Sequence, residues 1–394
     1  MVATVKVFKK TSPNGKLTVY LGKRDFVDHQ DSVDPIEGVV VVDGEYLKNR
    51  KVFGQVITSI RYGRERDEVM GLQFCKEMVL ISEQIAPDSK TKSNLSPLQE
   101  KLLKKLGSDA HAFTFQLPTT APTSVVLQEN SNDQPMGIEY DLRAFVGENQ
   151  DDRGHKRSSV SLAIRKVQYA PSLRSQKQPS TLVSKGFTFS SGKLNMEVTL
   201  DKELYYHNEP VGVNILVTNN SKKTVKNIQV SILQNVEITI VNSHFSKRVS
   251  HLESREGCPI TPGSSLTKTF MVTPVATSVK EKQGIALDGY MRDEDVNLAS
   301  STLSERGSND ATGFIITYTV RVQLNLGAIS GELVADVPMK LMHPMPGTSD
   351  KYGRGKGAPD NKVISRYDNN SYAKDEDENI IFEDFARLRM NEPE

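Results

Sequence analysis

Short apolar runs that alternate with polar residues recur along most of the chain. They are rich in Val, Ile, Thr, Phe and Tyr and are separated by Gly, Pro, Asn and Asp, which is typical of β-strands joined by turns. The predicted strands are Leu17–Leu21, Gly38–Val42, Val52–Tyr62, Met78–Ile85, Phe113–Leu117, Ile138–Val146, Val160–Tyr169, Leu194–Leu200, Val211–Val217, Ile228–Leu233, Thr267–Val272, Phe314–Leu326 and Leu333–Met342. This spacing predicts antiparallel sandwiches rather than alternating strands and helices.

One segment has a helical period instead. In residues 96–107 (SPLQEKLLKKLG), Ser96 can cap a helix that Pro97 begins and Gly107 ends. Three leucines spaced four residues apart form one apolar stripe, and the lysines fall elsewhere. The stripe indicates a surface helix packed on a sheet, unless other apolar segments also bind it. The members of the stripe are Leu98, Leu102 and Leu106.

A weak internal repeat divides the chain. Gly15-Lys16-Leu17 recurs as Gly192-Lys193-Leu194, and the polar, proline-bearing residues 170–180 between the two copies resemble a hinge. After Pro346 the sequence has little to bury. We therefore predict five segments: an N-terminal sandwich domain at 1–172, a hinge at 173–181, a C-terminal sandwich domain at 182–345, a flexible linker at 346–374 and an acidic, apolar tail at 375–394.

The tail has a charge opposite to that of the rest of the chain. Eight acidic residues against two arginines give residues 375–394 a net charge of −6, whereas the whole chain carries +1, so residues 1–374 carry +7. The same segment has bulky apolar side chains, and such a peptide could fold back onto an anion-binding surface of the basic body. An anionic ligand of that surface would then have to displace the tail, so the tail and the ligand together would act as a switch. The apolar anchors are Ile380, Ile381, Phe382 and Phe385.

Composition excludes several other classes of protein. The N-terminal MVATVKVFKK lacks the apolar core of a signal peptide, and no run approaches the ~20 apolar residues of a membrane span. The two cysteines, Cys75 and Cys258, favour a reducing cytosol over a disulfide framework. The seven histidines are scattered without zinc-ligand spacing, and no nucleophile motif occurs. We predict no metal, no cofactor and no enzymatic activity, and near-neutral overall charge gives no reason to expect nucleic-acid binding.

Several long motifs resemble the arrestin family. They are VFKK (7–10), YLGKRDFVDH (20–29), RYGRERDEVMGL (61–72), IRKVQYAP (164–171), GIALDGYMRDEDVNLASST (284–302) and FEDFAR (382–387). The resemblance runs from the first strand to the tail. The short tail and the stretch CPITPG (258–263) are most similar to the visual arrestins of invertebrate photoreceptors. The resemblance implies an all-β fold of two tandem immunoglobulin-like antiparallel sandwiches, with one short helix in the N-domain and an extended C-terminal tail.

The resemblance also implies a buried charged cluster at the domain interface that holds the resting state. Three carboxylates and two guanidiniums would join both domains and the tail. Removing one partner of a buried ion pair costs about 3–5 kcal/mol, whereas five unrelated surface charges would be worth little. By motif match the members of this polar core are Asp25, Arg165, Asp288, Asp295 and Arg387.

A second, apolar latch would hold the tail to the helix and the first strand. Burying three large apolar side chains contributes roughly 5–8 kcal/mol, and ordering the tail takes back much of that gain. The predicted members of the latch are Val7, Phe8, Leu98, Leu102, Leu106, Ile381, Phe382 and Phe385.

The family's trigger is receptor phosphate. Phosphoserine pairs well with Arg and Lys, and a phosphorylated receptor tail would compete with the acidic tail for these cations. Adjacent lysines are otherwise ordinary solvated residues. The positions that match the family's phosphate ligands are Lys6, Lys9, Lys10, Arg24, Lys105, Arg165, Lys166 and Arg292.

Residues 64–74 match the finger loop that enters the cytoplasmic cavity of the activated receptor. The alternative is a plain hairpin, but an exposed Val-Met-Gly-Leu run favours an interaction site. The predicted members are Arg64, Glu65, Asp67, Glu68, Val69, Met70, Gly71 and Leu72.

Two further partners are predicted. Phe382, Phe385 and Arg389 resemble a clathrin-adaptor motif, although no clathrin box occurs between residues 346 and 374. Lys222, Lys223 and Lys226 could bind phosphoinositide, or they could be a solvated sheet edge.

We therefore predict a cytoplasmic arrestin that is recruited to the photoreceptor membrane, the rhabdomere. There it would bind phosphorylated, light-activated rhodopsin or a related G-protein-coupled receptor and block the G protein sterically. The alternatives are an endocytic arrestin that serves many receptors and a trafficking scaffold of arrestin-like fold.

Overall fold

This computed structural model describes fourteen stretches of the chain. They are residues 5–29, 31–64, 67–68, 73–87, 95–127, 134–152, 154–171, 177–188, 190–276, 284–289, 297–303, 313–328, 330–344 and 380–384.

The first half of the chain contains ten strands and two short helices among its described residues. The strands are β1 (Val5–Thr11), β2 (Leu17–Leu21), β3 (Asp25–Asp28), β4 (Ile36–Val42), β5 (Lys51–Arg61), β6 (Cys75–Ala86), β7 (Ala110–Phe115), β8 (Val125–Leu127), β9 (Met136–Gly147) and β10 (Ser159–Gln168). The helices are α1 (Gly44–Leu47) and α2 (Pro97–Leu106).

The described residues of the second half contain ten strands and one 3₁₀ turn at Thr239–Val241, and an eleventh strand comes from the tail. They are β11 (Ser180–Phe187), β12 (Ser190–Leu200), β13 (Leu204–Tyr206), β14 (Val211–Asn219), β15 (Asn227–Ile238), β16 (Ser243–Ser254), β17 (Ser265–Val272), β18 (Ala286–Asp288), β19 (Phe314–Asn325), β20 (Glu332–Met342) and β21 (Ile380–Asp384).

Each half forms two sheets. In the first half, one sheet has the order β21-β1-β2-β4-β7, and the other runs β18-β8-β9-β10-β3, with β5 paired to β9 and β6 paired to β5. In the second half, the orders are β11-β12-β14-β17 and β13-β20-β19-β15-β16. Two strands therefore leave their own half: β18 pairs with β8, and β21 pairs with β1.

The alternating pattern that predicts the strands also builds the cores. Along β20 the inward side chains Leu333, Ala335, Val337, Met339 and Leu341 are buried, whereas the side chains between them reach solvent or the sheet edge. Successive side chains of a strand point to opposite faces, so one apolar row per strand fills a sandwich. The all-β prediction and the predicted strand positions are confirmed.

Helix α2 begins and ends where the sequence predicts. The Ser96 hydroxyl accepts from the backbone N–H of Gln99, whose side chain accepts from the backbone N–H of Ser96, and Gly107 ends the helix. Leu102 is buried against β1 and β4, with Leu98 and Leu106 beside it. The helix lies on the outer face of the sheet that carries the tail strand.

Several elements were not predicted. The short strands β3, β8, β13 and β18 have too few residues to show a period, and the one-turn helix α1 depends on its Asp43 cap. Strand β11 begins at Ser180, inside the predicted hinge, of which residues 173–176 lie outside the described part. No helix in the described ranges has the length and apolarity needed to cross a membrane.

Candidate functional site

The tail strand β21 lies parallel to β1 at the edge of the first sheet. The register pairs Val5 with Ile380, Val7 with Phe382 and Lys9 with Asp384. Without β21, the backbone N–H and C=O groups along one side of β1 would be unpaired, and an exposed strand edge is a template for another peptide. The tail thus occupies a surface that could also receive an extended ligand.

Phe382 anchors the tail in an apolar cluster under α2. Its ring meets Tyr20 edge-on, with the ring centroids 5.3 Å apart, and the cluster is built on three buried residues, Val7, Val39 and Leu102. Ile380 packs into the same cluster. These contacts support the predicted latch around Val7, Leu98, Leu102, Leu106 and Phe382, which all take part.

Two other members of the predicted latch lie elsewhere. Ile381 is 55% exposed, so the expectation that it packs inward is wrong, and Ile380 takes that position instead. Phe8 packs against the main sandwich core rather than against Phe382. The reason in both cases is strand alternation, because neighbouring residues of a strand point to opposite faces. Phe385 lies outside the described residues.

Two cations that the resemblance assigns to receptor phosphate contact the tail. Lys6 forms an ion pair with Glu383, and the Lys105 ammonium lies 5.2 Å from the centroid of the Phe382 ring. A cation over an aromatic face is attracted by the ring quadrupole. The tail therefore presents a carboxylate to Lys6 and an aromatic ring face to Lys105.

Three of the other predicted phosphate ligands, Lys9, Lys10 and Arg24, lie in or near the same strand. Lys9 lies in β1 opposite Tyr20 and beside Asp384 of the tail, and the Lys10 ammonium donates to the backbone carbonyl of Ser161, 2.7 Å away. Arg24 is buried, with its guanidinium 5.5 Å from the Phe8 ring centroid. Arg292 lies outside the described residues.

Lys166 does not fit the role expected of it. Its side chain is 1% exposed, and its ammonium donates to the Asp28 carboxylate, 2.7 Å away, and to the carbonyl of Ala121. The next residue along the same strand as Arg165 must face the other way, and here that direction leads into the core. The structure thus corrects the expectation that Lys166 is available to phosphate.

Arg165 is held at two points by Asp25. Its Nε and Nη2 donate to the two Asp25 carboxylate oxygens at 2.7 and 2.6 Å, and its Nη1 donates to the carbonyl of Gly289 at 2.8 Å. The two residues are register partners on the parallel strands β10 and β3. Because Gly289 follows β18, this one guanidinium connects two elements of the first half to a loop of the second.

Asp288 lies next to this cluster, but its carboxylate has other partners. Among the described residues these are the backbone N–H of Ser300 at 3.1 Å and the imidazoles of His343 and His207, and Arg165 is not one of them. Of the predicted polar core, Arg165 and Asp25 therefore form an ion pair, and Arg165 contacts the residue after Asp288 through the Gly289 carbonyl. Asp295 and Arg387 of the predicted cluster lie outside the described residues.

The histidine partners of Asp288 are site residues that the sequence did not indicate. Burial raises the pKa of Asp288, but His343, His207 and the backbone N–H of Ser300 together lower it further, so the pKa lies below its usual range. Burial lowers the pKa of His207 to about 3, which makes its imidazole neutral at neutral pH. No spacing signal could have joined these residues, because they come from three distant parts of the chain.

The predicted finger loop is described only at its base. The Glu68 carboxylate accepts from Arg61 at 2.9 Å and from the backbone N–H of Phe74 at 3.1 Å, and the rings of Tyr62 and Phe74 meet edge-on. The backbone carbonyl of Arg64 accepts from the N–H of Asp67. These contacts fix the two ends of the loop. Its predicted members Glu65, Val69, Met70, Gly71 and Leu72 lie outside the described residues.

The predicted phosphoinositide lysines lie at one end of the second half. Lys222 and Lys226 are exposed and Lys223 is half-buried, and Lys226 lines a cavity of ≈ 400 Å³ together with Arg255. In the predicted adaptor motif, Phe382 is engaged in the latch, while Phe385 and Arg389 lie outside the described residues.

Comparison with known protein families agrees with the two β-sandwich halves described above. Residues 17–170 match the family described as "Arrestin (or S-antigen), N-terminal domain", and residues 190–346 match its C-terminal counterpart. This chain belongs to the arrestin family. Arrestins are non-enzymatic signalling regulators, so the expectation that the protein is not an enzyme agrees with its family.

Three relatives that cover nearly the whole of this arrestin come from arthropods. An "Arrestin homolog" of Locusta migratoria is 59% identical, with 100% of this chain and 98% of the relative covered. "Phosrestin-1" of Drosophila miranda is 56% identical (99% and 98% covered), and "Arrestin, lateral eye" of Limulus polyphemus is 54% identical (99% and 96% covered). The predicted resemblance to invertebrate visual arrestins is confirmed.

Proposed function

We propose that this arrestin binds phosphorylated, light-activated rhodopsin and ends its signalling by blocking the G protein. The observation that carries the proposal is the tail strand β21, which lies on β1 and contacts Lys6 and Lys105. A phosphorylated receptor segment has the same needs as this tail, namely a strand edge for its backbone and cations for its charges. The two peptides would compete for one surface.

Release of the tail is the proposed trigger. Phosphate groups carry about −1.5 to −2 charges each, so several of them would attract Lys6, Lys9, Lys10 and Lys105 more strongly than Glu383 does. Drawing Arg165 away from Asp25 would then break the contact to Gly289 and loosen the second half. The finger loop would enter the receptor cavity and exclude the G protein. Tight binding would require both the open cavity of an active receptor and attached phosphates, so the protein would respond only to a receptor that is active and phosphorylated at the same time.

The names of the relatives favour a visual receptor over a general one. One relative is described as an arrestin of the lateral eye and another as a phosrestin. We propose that the protein is cytoplasmic and is recruited to the rhabdomere when rhodopsin is activated. Adaptor binding would require tail release, because Phe382 is engaged in the latch. Phosphoinositide binding at Lys222, Lys223 and Lys226 remains a prediction.

A four-condition binding assay tests the proposal. The full chain is sedimented with rhodopsin that is phosphorylated or not, and dark or illuminated. We expect strong binding only to the illuminated, phosphorylated receptor. A chain that ends before Asp375 should also bind the illuminated, unphosphorylated receptor. Equal binding of the full chain in all four conditions would remove rhodopsin as the partner, whereas a truncated chain as selective as the full chain would remove autoinhibition by the tail.

A further inference from the structure

The side chains of His207, Asp288 and His343 converge at the junction of the two halves. His207 follows β13, Asp288 ends β18 and His343 follows β20. Their ligand atoms all lie within 4.8 Å of one another. The side chains are almost enclosed, with exposed fractions of 6% for His207, 8% for Asp288 and 16% for His343. We propose that this cluster, named here the His-Asp-His cluster, binds a divalent transition-metal ion such as Zn²⁺.

The geometry of the three donors supports an ion between them. Both imidazoles turn Nε2 toward the same carboxylate oxygen, Oδ2 of Asp288. His343 reaches this oxygen by a hydrogen bond, whereas His207 Nε2 lies 3.7 Å from it, beyond hydrogen-bond range. The other partner of His207 Nε2 is the Ser300 hydroxyl at 3.5 Å, the limit of a hydrogen bond. His207 Nε2 thus has one long hydrogen bond in the described part of the chain, and an ion in this position would give this buried nitrogen a closer partner.

The distances require only local movement. Zinc bonds of about 2.0–2.1 Å in a tetrahedral site place donor atoms roughly 3.3 Å apart. The separation between His207 Nε2 and Asp288 Oδ2 is already close to that value. His343, the most exposed of the three side chains, would retreat from Asp288 to admit the ion, and the exposed side of its ring provides the entry path.

The donor set selects the class of metal. Two imidazole nitrogens and one carboxylate oxygen suit zinc and its first-row neighbours, whereas calcium and magnesium prefer oxygen ligands alone. A water molecule or the Ser300 hydroxyl would complete four-coordination. The Asp288 carboxylate is also held in a suitable orientation, because the backbone N–H of Ser300 donates to its Oδ1 and leaves Oδ2 to the ion. Such outer contacts orient metal ligands.

The position of the His-Asp-His cluster gives the ion a structural consequence. Strand β18, which carries Asp288, pairs with β8 of the first half. His343 forms a bridge with Tyr169, and its carbonyl accepts from the N–H of Ala170 at 2.9 Å. All three ligands belong to the second half, so an ion held by them would fix the ends of β13, β18 and β20 at the place where β18 pairs with β8 and His343 meets Ala170. We expect it to stabilise the joined, resting arrangement, independently of which receptor the protein binds.

Zinc titration of the full chain tests this inference. Protein freed of metal by a chelator is titrated with ZnCl₂ by calorimetry, and we expect one Zn²⁺ per chain at micromolar affinity and a raised melting temperature. His207→Gln and His343→Gln should each weaken binding by more than about 10-fold, and the double variant should abolish it. His244→Gln, an exposed histidine of β16, is the matched control and should bind as the parent does.

Two further measurements exclude other zinc ligands and misfolding. Cys75→Ser with Cys258→Ser should leave zinc binding unchanged, and Co²⁺ in place of zinc should show visible bands without thiolate charge-transfer absorption. If circular dichroism shows that a histidine variant does not fold, the Co²⁺ spectrum of the parent still tests whether the ligands are nitrogen and oxygen atoms rather than thiolates. Absence of stoichiometric micromolar binding, loss of binding in the cysteine variant or retention in the double histidine variant would each overturn the inference.

Discussion

The ring of Phe382 meets the ring of Tyr20 edge-on, with centroids 5.3 Å apart, and this contact joins the end of the chain to its beginning. Tyr20 belongs to β2, the neighbour of β1, so the tail strand touches two strands of the sheet that it extends. Phe382 also lies beneath the Lys105 ammonium. One side chain thus connects the apolar latch to Lys105, a cation that the resemblance assigns to receptor phosphate.

Phe382→Ala should therefore loosen the tail. Burying a Phe side chain contributes about 1.5–3 kcal/mol, so a loss of about 2 kcal/mol would make β21 open roughly 30-fold more often. Amide hydrogen exchange of residues 380–384 measures this opening. Ile381→Ala is the matched control, because Ile381 is 55% exposed and should have little effect. Equal exchange in the two variants would show that the Phe382 contact does not hold the tail.

Arg165→Glu should uncouple the first half from the second. The substitution places a carboxylate against Asp25 and removes the donor to Gly289, and leaving one charge of such a pair uncompensated costs about 3–5 kcal/mol. We expect the variant to bind illuminated, unphosphorylated receptor, measured by co-sedimentation. Arg157→Glu, at an exposed position, is the control.

The reciprocal exchange Asp25→Arg with Arg165→Asp sharpens this test. It restores an ion pair between β3 and β10, so phosphate dependence should return at least in part. Unchanged phosphate dependence in Arg165→Glu itself would show that the pair does not hold the resting state.

Lys9→Ala with Lys10→Ala should weaken binding to the phosphorylated receptor selectively. Hydrogen bonds to charged groups contribute about 1.5–3 kcal/mol each, so the loss should be tenfold or more, with a flatter dependence on salt. Lys48→Ala with Lys51→Ala removes two exposed lysines of the same half and serves as the control. Binding equal to that of the control variant would place these lysines outside the phosphate site.

Lys166→Ala should act on stability rather than on phosphate recognition. The substitution removes the Lys166 ammonium from the buried Asp28 carboxylate, and breaking a buried ion pair costs about 3–5 kcal/mol, so the melting temperature should fall. Lys166→Met with Asp28→Leu removes both charges and should recover most of the loss. Folded protein of the double variant should keep the parent's preference for phosphorylated receptor. A selective loss of that preference would instead assign Lys166 to the phosphate site.

The sequence predicted the fold well wherever the periodic signal was long. Strands β19 and β20 are long and alternate between buried and more exposed residues, β5 and β9 are long and mostly buried, and α2 carries a cap, a stripe and a terminating glycine. Short strands such as β8 and β18 could not be predicted, because three apolar residues show no period and their pairing depends on partners far away in the chain.

Some residues of the candidate site could likewise be predicted from the sequence, and others could not. Motif matches indicated Arg165, Asp25 and the tail anchor Phe382, and the structure brings the first two together and packs the third under α2. They could not show that Lys166 faces the core, that Ile380 rather than Ile381 points inward, or that Asp288 turns to two histidines.

The sequence by itself determined the class of fold, the helix and the opposite charges of body and tail, because each depends on local composition and period. Tertiary structure alone decided which face of each strand is buried at the tail and the domain junction. It also decided which charges meet, since side chains from β3, β10, β18 and β20 become neighbours only when the sheets form. The physical reason is that a one-residue shift of register reverses every side chain of a strand, and only packing against distant strands selects between the two faces.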